Sequence, residues 1–539
     1  MKLETRNSKL TGMSDFSVHQ ANAVRPDPAR IVVPRKHGQV LVEPGYGVLV
    51  EAMREGGKRN EMRKAAREHF LEAAKKWARA IGVEGPDAQM LEKKWVITGH
   101  QVEFYHAGVW AKVIAADEVT RRVEGVAFDL LVDHDVVDHL GVDVPAYESE
   151  KWRRVMVAWD EATALSADSI ETPNVKQFEA WDAKIASHPL TRTDSMAMVL
   201  ASLRDGVRGE NYVRWMSGAR RKFERAMGLT VHHVPTSLMC EMPEWWMFVW
   251  QWAINADQWT RIYNEELGAY RKRQGIKNDH HPMPDLVRKE GDGDVFELPF
   301  WIYRRGEARQ RLMLRKDGEK VFMLHDGVAY EFNSLFTLHH SDLLVRPRAL
   351  TLTMFVRLFL ADLFVHGIGG ALYDQITDGL LAKLFGQQLP YACVSAAWLL
   401  PLGEGGQPLE NGGEINQLLS QRHHLLHNPQ LAIDPSTAEV AQRQALIRKI
   451  AESLATARRG KKAFEQRRQR FEQLHAMNEA LHAKAPDILR KLDVQIAECR
   501  RARERNKVLL WREYFFGLHT MASLRQLIEK MRGGEERSQ

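Results

Sequence analysis

The chain has 539 residues, of which 44% are hydrophobic and 27% charged, and its formal net charge is +6, so it is long enough for two or more globular domains. Its three cysteines include no Cys-x-x-Cys pair, which excludes a disulfide framework and fits a reducing compartment. No apolar signal region opens the chain, and the most lipophilic stretch is too short for a transmembrane helix and carries Arg357 and Asp362. We therefore expect a cytoplasmic protein without a membrane partner.

The first pattern in the chain is a strand followed by a helix. "KWVITG" predicts a short β-strand that ends at Gly99, and Trp110, Val113 and Ile114 then fall on one face of a predicted helix. "FDLLVDHD" predicts a second strand. Such alternation is typical of an α/β fold with a mostly parallel sheet, in which ligands bind outside the carboxyl ends of the strands.

Five titratable side chains follow the second predicted strand, within "LLVDHDVVDHLGVDVP": Asp133, His134, Asp135, Asp138 and His139. Burying so many charged groups is costly unless they are paired, so the stretch is either a solvated loop or a ligand site. Its position at the end of a strand favours the ligand site.

Two kinds of chemistry suit this stretch. Its histidines and aspartates are ligand types for Zn²⁺ or Mg²⁺, but no His-Glu-x-x-His motif is present, and we expect no metal site. A histidine between carboxylates is suited to proton transfer instead. The carboxylates are expected to raise the pKa of His134 and burial to lower it, so that the two effects balance near neutrality. His139 is expected to orient the loop.

The middle of the chain, from about 165 to 335, is rich in Trp and Met and predicts a helical insertion within a core that spans 1–402. Its "PEWWMFVWQWAINADQWTRIYNEELGAYRKRQG" segment predicts one long helix whose aromatic side chains belong to the hydrophobic core rather than to a base-stacking surface.

A glycine cluster occurs further on, in "LFVHGIGGALYDQITDGLL". Gly367, Gly369 and Gly370 follow an apolar run and precede a helical pattern, where backbone N–H groups can approach a phosphate or a carboxylate. The cluster is neither a Walker A loop nor a complete Gly-x-Gly-x-x-Gly motif, because position 372 is Leu.

The C-terminal part of the chain is basic and helical. A Gly-rich linker and connector is predicted over 403–435, and the domain 436–539 contains 23 Lys and Arg but 13 Asp and Glu. Coiled-coil spacing relates Phe464, Phe471, Leu474 and Leu481, and after Pro486 helical spacing resumes at Leu489, Leu492, Ile496 and Cys499. We expect two long helices in an antiparallel hairpin with a solvated basic face. Nucleic-acid binding is the alternative for that face, but it lacks interleaved aromatic residues.

These motifs resemble, in order and over most of the chain, those of the cysteine-adding enzymes of bacillithiol biosynthesis. That family has a strand followed by Thr-Gly-Gln-Gln and a Gly-Pro-Leu-Tyr helix start. The segment "ITGHQVEFYHAGVW" is similar: Thr98, Gly99 and Gln101 match, His100 replaces the first glutamine, and Gly108 falls where Gly-Pro is usual.

The later motifs are similar too. The family's Glu-Asp-His-Asp corresponds to "VDHD", with Val132 in place of the glutamate. Its Leu-Leu-Arg-Pro and Gly-Gly-Pro-Gly-Glu-x-x-Tyr segments resemble the region from "LLVRP" to "HGIGGALYD", where Arg346 and Gly369-Gly370 match and Ala371 replaces proline. The family's middle section is similar to "YNEELGAYRKRQGIKNDHHPMPDL", and its chains also end in a basic coiled coil.

The resemblance implies a Rossmann-like core with helical insertions, a C-terminal coiled-coil arm that pairs two subunits, and a ligase reaction. In that reaction cysteine, or another amino acid, is added to an amino-sugar or amine acceptor in low-molecular-weight thiol biosynthesis. ATP or ADP, with Mg²⁺, are the expected cofactors. An inactive nucleotide-binding scaffold, whose basic coiled coil recruits a partner or nucleic acid, is the alternative hypothesis.

The site residues follow from the motifs together with the resemblance. His134 is expected to be the general base, with Asp133 or Asp135 fixing its tautomer. The substrate and nucleotide are expected to contact Thr98, Gly99, His100, Gln101, His106, Gly108, Arg346, His366, Gly367, Gly369, Gly370, Tyr373 and Asp374. Arg346 would bind a carboxylate as a fork.

Overall fold

A computed structural model describes residues 24–55, 60–207, 211–289, 294–333, 342–400, 414–455 and 461–533. These residues form two compact units, each described by itself. The sheet unit comprises residues 24–146, 154–400 and 512–533 with the gaps given above, and the helical unit comprises residues 147–153 and 414–511. The C-terminal segment from 512 onwards therefore clusters with the sheet unit, whereas the sequence analysis assigned it to the helical domain.

The described residues form fourteen β-strands: β1 (Gln39–Glu43), β2 (Trp95–Gln101), β3 (Val126–Val132), β4 (Leu140–Glu148), β5 (Lys151–Asp160), β6 (Val231–Pro235), β7 (Arg288–Lys289), β8 (Asp294–Arg304), β9 (Gln310–Asp317), β10 (Lys320–His325), β11 (Val328–Phe332), β12 (Leu343–Pro347), β13 (Leu363–His366) and β14 (Tyr391–Ala397).

They also form sixteen α-helices: α1 (Tyr46–Glu55), α2 (Glu61–Ala80), α3 (Ala107–Val123), α4 (Val175–Ser187), α5 (Asp194–Asp205), α6 (Tyr212–Ala226), α7 (Thr236–Met239), α8 (Pro243–Ile254), α9 (Ala256–Gln274), α10 (Ala349–Phe359), α11 (Ile368–Phe385), α12 (Glu414–His427), α13 (Ala438–Ala455), α14 (Lys461–Lys484), α15 (Pro486–Leu509) and α16 (Met521–Arg532). Within the described ranges, no helix combines the length and apolar character that crossing a bilayer requires.

The main sheet has the strand order β1-β14-β13-β2-β3-β6. Five of these strands are parallel to one another, and β1 is antiparallel to β14 at one edge. The chain moves outward from β2 to β3 and β6, and later returns to the other side of β2 through β13 and β14. The predicted α/β fold with a mostly parallel sheet is thus confirmed, and its strand order reverses between β2 and β13, which is where ligands bind in open α/β sheets.

The β2-α3-β3 unit follows from local sequence signals. Most residues of β2 and β3 are apolar, with Asp129 a buried exception in β3, and both strands are buried except at their carboxyl ends. The side chain of His106 caps the start of α3, and Glu124, in the left-handed conformation at φ 51°, ends it. The helix is buried on more than the predicted face, because it packs against the sheet on one side and against α1 and α16 on another.

The middle region is not only helical, as we expected, but contains antiparallel strands as well. The second sheet has the order β11-β10-β9-β8-β12, with β7 paired to β8. Strands such as β9 alternate buried and exposed residues, which is the pattern of a sheet with one face in the core. The predicted long helix is divided at Asn255 into α8 and α9. Its aromatic residues are core residues, as predicted: Trp245, Phe248 and Trp252 are fully buried.

In the helical unit, the predicted hairpin of α14 and α15 is wrong. A helix break at Pro486 does separate them, but α14 packs along α13, and α15 packs along α12. Arg443 on α13 donates a hydrogen bond to the Asn478 side chain on α14, with 2.7 Å between Nε and Oδ1. The first part of the predicted linker lies outside the described residues, and its later part contains α12.

The expected coiled-coil seam is divided between buried and exposed positions. Leu481, Leu492 and Ile496 are buried, whereas Phe464 is 63% and Phe471 53% exposed. An a/d repeat specifies an apolar stripe but not the helix that covers it, so the sequence alone could not identify the partners.

Candidate functional site

A cavity of about 470 Å³ lies at the carboxyl-terminal edge of the main sheet. Its wall includes the ends of β2, β3 and β13, and Ser395 of β14. The first residues of α3, α10 and α11 also line it, so the cavity is located where the strand order reverses. Its volume is in the range of small-molecule sites.

The cavity brings together most of the residues that the sequence analysis selected. Those that line it are Gly99, His100, Gln101, His106, Gly108, His134, Asp135, His366, Gly367, Gly369, Gly370, Tyr373 and Asp374. Asp133, Thr98 and Arg346 are buried and do not line it. Thr98 donates a hydrogen bond to the carbonyl of Val365, which joins β2 to β13.

Arg346 lies beneath the cavity rather than in it. Its guanidinium is buried beside Asp133, Asp168 and Cys240, and these groups raise its pKa even though burial opposes the charge. Arg346 therefore compensates the negative charge of buried acidic groups, and it does not face the cavity as the expected carboxylate fork would. Arg348, two residues later in the chain, lines the cavity instead.

A threonine connects Asp133 to His134. Thr236, the first residue of α7, donates its hydroxyl hydrogen to Asp133, with 2.7 Å between Oγ1 and Oδ1. The Nδ1 atom of His134 lies 2.7 Å from the same hydroxyl oxygen. Asp133 also accepts hydrogen bonds from the backbone N–H and the hydroxyl of Ser237. Neither aspartate contacts the imidazole, so Asp133 can fix its tautomer only through Thr236.

This arrangement assigns the hydrogen on the imidazole. Because Thr236 donates to Asp133, its oxygen must accept from His134, which places the ring hydrogen on Nδ1. The Nε2 atom then carries a lone pair, and it has no hydrogen-bond partner among the described residues. Burial lowers the pKa of His134 to about 4, despite the nearby Asp135, so the ring is neutral at pH 7. The expected balance near neutrality is wrong, because desolvation outweighs the carboxylates.

Asp135 is held by residues on either side of the cavity. The Gln101 side chain donates to it over 2.8 Å, and Arg309 forms a salt bridge with it over 2.7 Å. Arg309 also donates to the carbonyl of His134, with a distance of 3.0 Å. Asp135 therefore fixes the loop backbone and the end of β2 rather than the imidazole.

An aromatic ring positions two arginines at the cavity wall. The guanidinium of Arg309 lies 4.8 Å from the ring centre of Trp301, and that of Arg348 lies 5.1 Å from it. Arg348 is further held by Glu297 through a contact of 2.7 Å. Both arginines are mostly buried, so little side-chain freedom remains for a ligand to restrict.

The predicted glycine cluster forms the start of α11. Gly367 is its N-cap and provides no side-chain hydrogen bond to the first turn. A Cβ atom at Gly370 would lie 2.6 Å from Nδ1 of His366, and one at Gly369 would lie 2.7 Å from the Tyr373 hydroxyl. Only glycine fits at these positions without displacing a neighbour, and the uncapped N–H groups lie at the cavity wall.

Behind this turn, a buried ion network holds His366. Its Nε2 lies 2.8 Å from Asp374, which also pairs with Arg357 over 2.6 Å and accepts from Thr353. Burial opposes the charge on Asp374, but Arg357 and His366 together hold its pKa below the ordinary value. The network makes the wall rigid at the start of α11.

His106 contributes a second ring with an assigned tautomer. Its Nδ1 accepts the N–H of Gly108 over 3.0 Å, so in the neutral ring the hydrogen is on Nε2. Burial, and then the charges of Arg512 and Lys112, lower its pKa to about 3. Burial also lowers the pKa of His100, whose side chain remains partly exposed.

Positive charge dominates the lining. The charged side chains at the wall are Lys112, Arg309, Arg348 and Arg512 against Asp135 and Asp374. Three helix N-termini add partial positive charge in the same place. The cavity is therefore suited to an anionic ligand.

Several of these residues were missed by the sequence analysis. Thr236, Trp301, Arg309, Arg348 and Arg512 are brought to the site by strands and helices far apart in the chain, and no local motif marks them. The sequence did contain a signal for Lys112, because this lysine interrupts the apolar face of the helix predicted after the "KWVITG" strand.

Three residues of the types that bind metal ions lie close together outside the cavity lining. Among the described residues, ligand atoms of Glu307, His325 and Asp326 all fall within 4.8 Å of one another. The Arg304 guanidinium is 3.4 Å from Nδ1 of His325, and its charge opposes a cation there. None of these residues was selected from the sequence.

The chain matches no protein-family model, and no curated protein matches it either. The assignment of a function therefore depends on the site.

Proposed function

We propose that the protein is an enzyme that binds an anionic small molecule in the cavity and uses His134 to remove a proton from the attacking group. The observation that carries this proposal is the buried, neutral His134 with an unpartnered Nε2 beside a positively charged wall. His134 lines the cavity, so a ligand bound there can supply the partner that Nε2 lacks.

The reaction class that we propose is a ligation of cysteine, or another amino acid, to an amino-sugar or amine acceptor. The carboxyl group would first be activated as an acyl phosphate. Nε2 of His134 then takes the proton as the amine attacks the acyl carbon, the C–O bond to phosphate breaks and phosphate leaves, and the Thr236–Asp133 pair stabilises the imidazolium that forms. Arg309 and Arg348 are placed to stabilise negative charge on the carboxyl oxygens. The resemblance to the cysteine-adding enzymes supports this class.

A nucleotide is part of the proposal. Parallel strands extend the main sheet on both sides of β2, and this strand order supports a Rossmann-like core. The uncapped first turn of α11 suits phosphate oxygens. ATP or ADP, with Mg²⁺ on its phosphates, would supply the activation of the carboxylate. Gly367, Gly369 and Gly370 would hold the phosphates through backbone N–H groups.

We also propose that the helical unit pairs two copies as a coiled-coil arm. Phe464 and Phe471 are large apolar side chains that are mostly exposed and seven residues apart on α14. That spacing is the repeat of a coiled-coil seam.

The test is a ligation assay with ATP, Mg²⁺, cysteine and an amino-sugar acceptor, read by mass spectrometry of the product. Thermal shifts with ATP, ADP and cysteine complement it, because a ligand at 100 times its Kd stabilises the fold by about 2.7 kcal/mol. Product formation that His134→Asn abolishes and His139→Asn retains supports the proposal. Product formation equal in the parent and in His134→Asn contradicts it.

A further inference from the structure

Lys112 is a buried cation without a salt-bridge partner among the described residues. It lies in the second turn of α3, its side chain is 5% exposed, and it lines the cavity. Its Nζ donates to the carbonyl of Gly99 over 2.6 Å, and it forms no salt bridge with a described residue. Two mostly buried arginines of the same wall do have carboxylate partners: Arg309 has Asp135, and Arg348 has Glu297. A buried ammonium without a counter-ion costs several kcal/mol in general.

The position of Lys112 is between the two strands at which the order reverses. Thr98 is the last residue of β2 that pairs with β13, opposite Val365, and Gly99, whose carbonyl accepts from Lys112, follows it. Gly367, the N-cap of α11, lies two residues after Val365. A Cβ atom at Gly367 would lie 3.8 Å from Cδ of Lys112, so the lysine stem passes directly beside the N-cap of that helix.

We propose that Lys112 and the first turn of α11 together bind the phosphate group of the ligand. The proposal rests on the proposed function, since it names the chemistry of the ligand in the same cavity. A lysine acts as a compact point charge and suits a tetrahedral phosphate, as do N–H groups at a helix start. A planar carboxylate is better matched by the guanidinium groups of Arg309 and Arg348, which lie on the second sheet and its β12-α10 connection.

Electrostatics agree with this geometry. Burial lowers the pKa of Lys112 to about 8, although Asp129 and Glu103 favour its charge from beyond salt-bridge distance. A bound phosphate would supply the missing negative charge. At pH 8 roughly half of Lys112 is then neutral without ligand, against less than about 1% of an ordinary lysine, which makes it reactive towards aldehydes.

The experiment is affinity labelling of the full chain with pyridoxal 5′-phosphate. The ε-amine condenses with the aldehyde carbon and releases water, and borohydride then donates a hydride to the imine to give a stable secondary amine. Peptide mass spectrometry measures the label on each lysine. Pyridoxal, which lacks the phosphate, is the matched reagent, and Lys383 at the far end of α11, exposed and paired with Glu266, is the matched lysine.

We expect pyridoxal 5′-phosphate to label Lys112 at least about tenfold faster than pyridoxal does, with no such ratio at Lys383, because the first turn of α11 holds the phosphate while the neutral amine of Lys112 attacks the neighbouring aldehyde. Inorganic pyrophosphate should protect Lys112. Equal labelling by both reagents, absence of label at Lys112, or protection by succinate but not by pyrophosphate would overturn the proposal.

Binding of pyrophosphate alone gives a second measurement. The Lys112→Met variant should keep its melting temperature or raise it, because an unpaired buried charge is removed, yet its Kd for pyrophosphate should rise at least about tenfold. Lys383→Met should bind like the parent, and a Lys112→Met variant that also binds like the parent refutes the site. If pyrophosphate protects Lys112 but the protein has no ligation activity, only the proposed reaction is refuted. If the enzyme is active but pyrophosphate does not protect Lys112, only this inference is refuted.

Discussion

Replacing Thr236 with valine should break the connection between Asp133 and His134 while keeping the shape of the side chain. The hydroxyl is fully buried and makes two hydrogen bonds of 2.7 Å. Its loss leaves the Nδ1 hydrogen without an acceptor and Asp133 with one donor fewer, and each buried unsatisfied group costs about 1–3 kcal/mol. We expect the free energy of unfolding to fall by about 2–4 kcal/mol, measured by urea denaturation at pH 7. Ligation turnover should fall at least about tenfold, because the imidazole loses its preferred tautomer.

The chain offers a matched control in Thr260. That threonine is also buried, but its hydroxyl has no hydrogen-bond partner in the described part of the chain, so Thr260→Val should change stability by less than about 0.5 kcal/mol or increase it. Thr236→Ser retains the hydroxyl and should keep most of the turnover. The reasoning is refuted if Thr236→Val is no more destabilising than Thr260→Val, or if its turnover equals that of Thr236→Ser.

Four further predictions concern the same site and the helical unit. His134→Asn should lower turnover by about 10²–10⁴-fold in initial-rate assays, and His139→Asn should not. Because the folded pKa of His134 is lowered from 6.5 to about 4, its contribution to stability is present above pH 6.5 and lost as the pH falls to 4. Urea denaturation over that range should show a loss of about 3 kcal/mol that His134→Asn does not show. Gly370→Val, which places a side chain against His366, should abolish pyrophosphate binding in calorimetry with unchanged far-UV circular dichroism. Sedimentation at micromolar concentration should show a dimer that Phe471→Glu converts to a monomer, and a parent monomer would contradict the coiled-coil arm.

The side of the cavity formed by β2, β3 and α11 could be predicted from the sequence, because the local sequence patterns of these elements agree with one another. Apolar runs that give way to polar side chains at His100 and Asp133 mark the carboxyl ends of two strands, and glycines mark the start of α11. In a parallel sheet these ends must meet at one edge, so local patterns are enough to bring the segments together.

The opposite side of the cavity could not be predicted in that way. Trp301 belongs to β8 of the second sheet and Arg309 to the connection before β9, and this sheet forms through its own strand pairing. The pKa of His134 depends on how completely these segments cover it, and sequence neighbours such as Asp135 indicate the wrong direction. Likewise, Leu492 and Ile496 predict a buried stripe on α15, but only the tertiary packing places α12 against that helix.

The return of the chain to the sheet unit at Arg512 has a consequence during synthesis. Residues 401–511 are inserted between β14 and the segment that carries Arg512, which is part of the cavity wall. At about 5–20 residues per second, a ribosome needs roughly 6–22 s to pass from Leu400 to Arg512. For that time the nascent sheet is complete but its ligand site lacks one of its cations. The proposed ligand site is therefore completed only after the inserted helices have been translated, and a chain cut within them would lack Arg512 in the cavity wall.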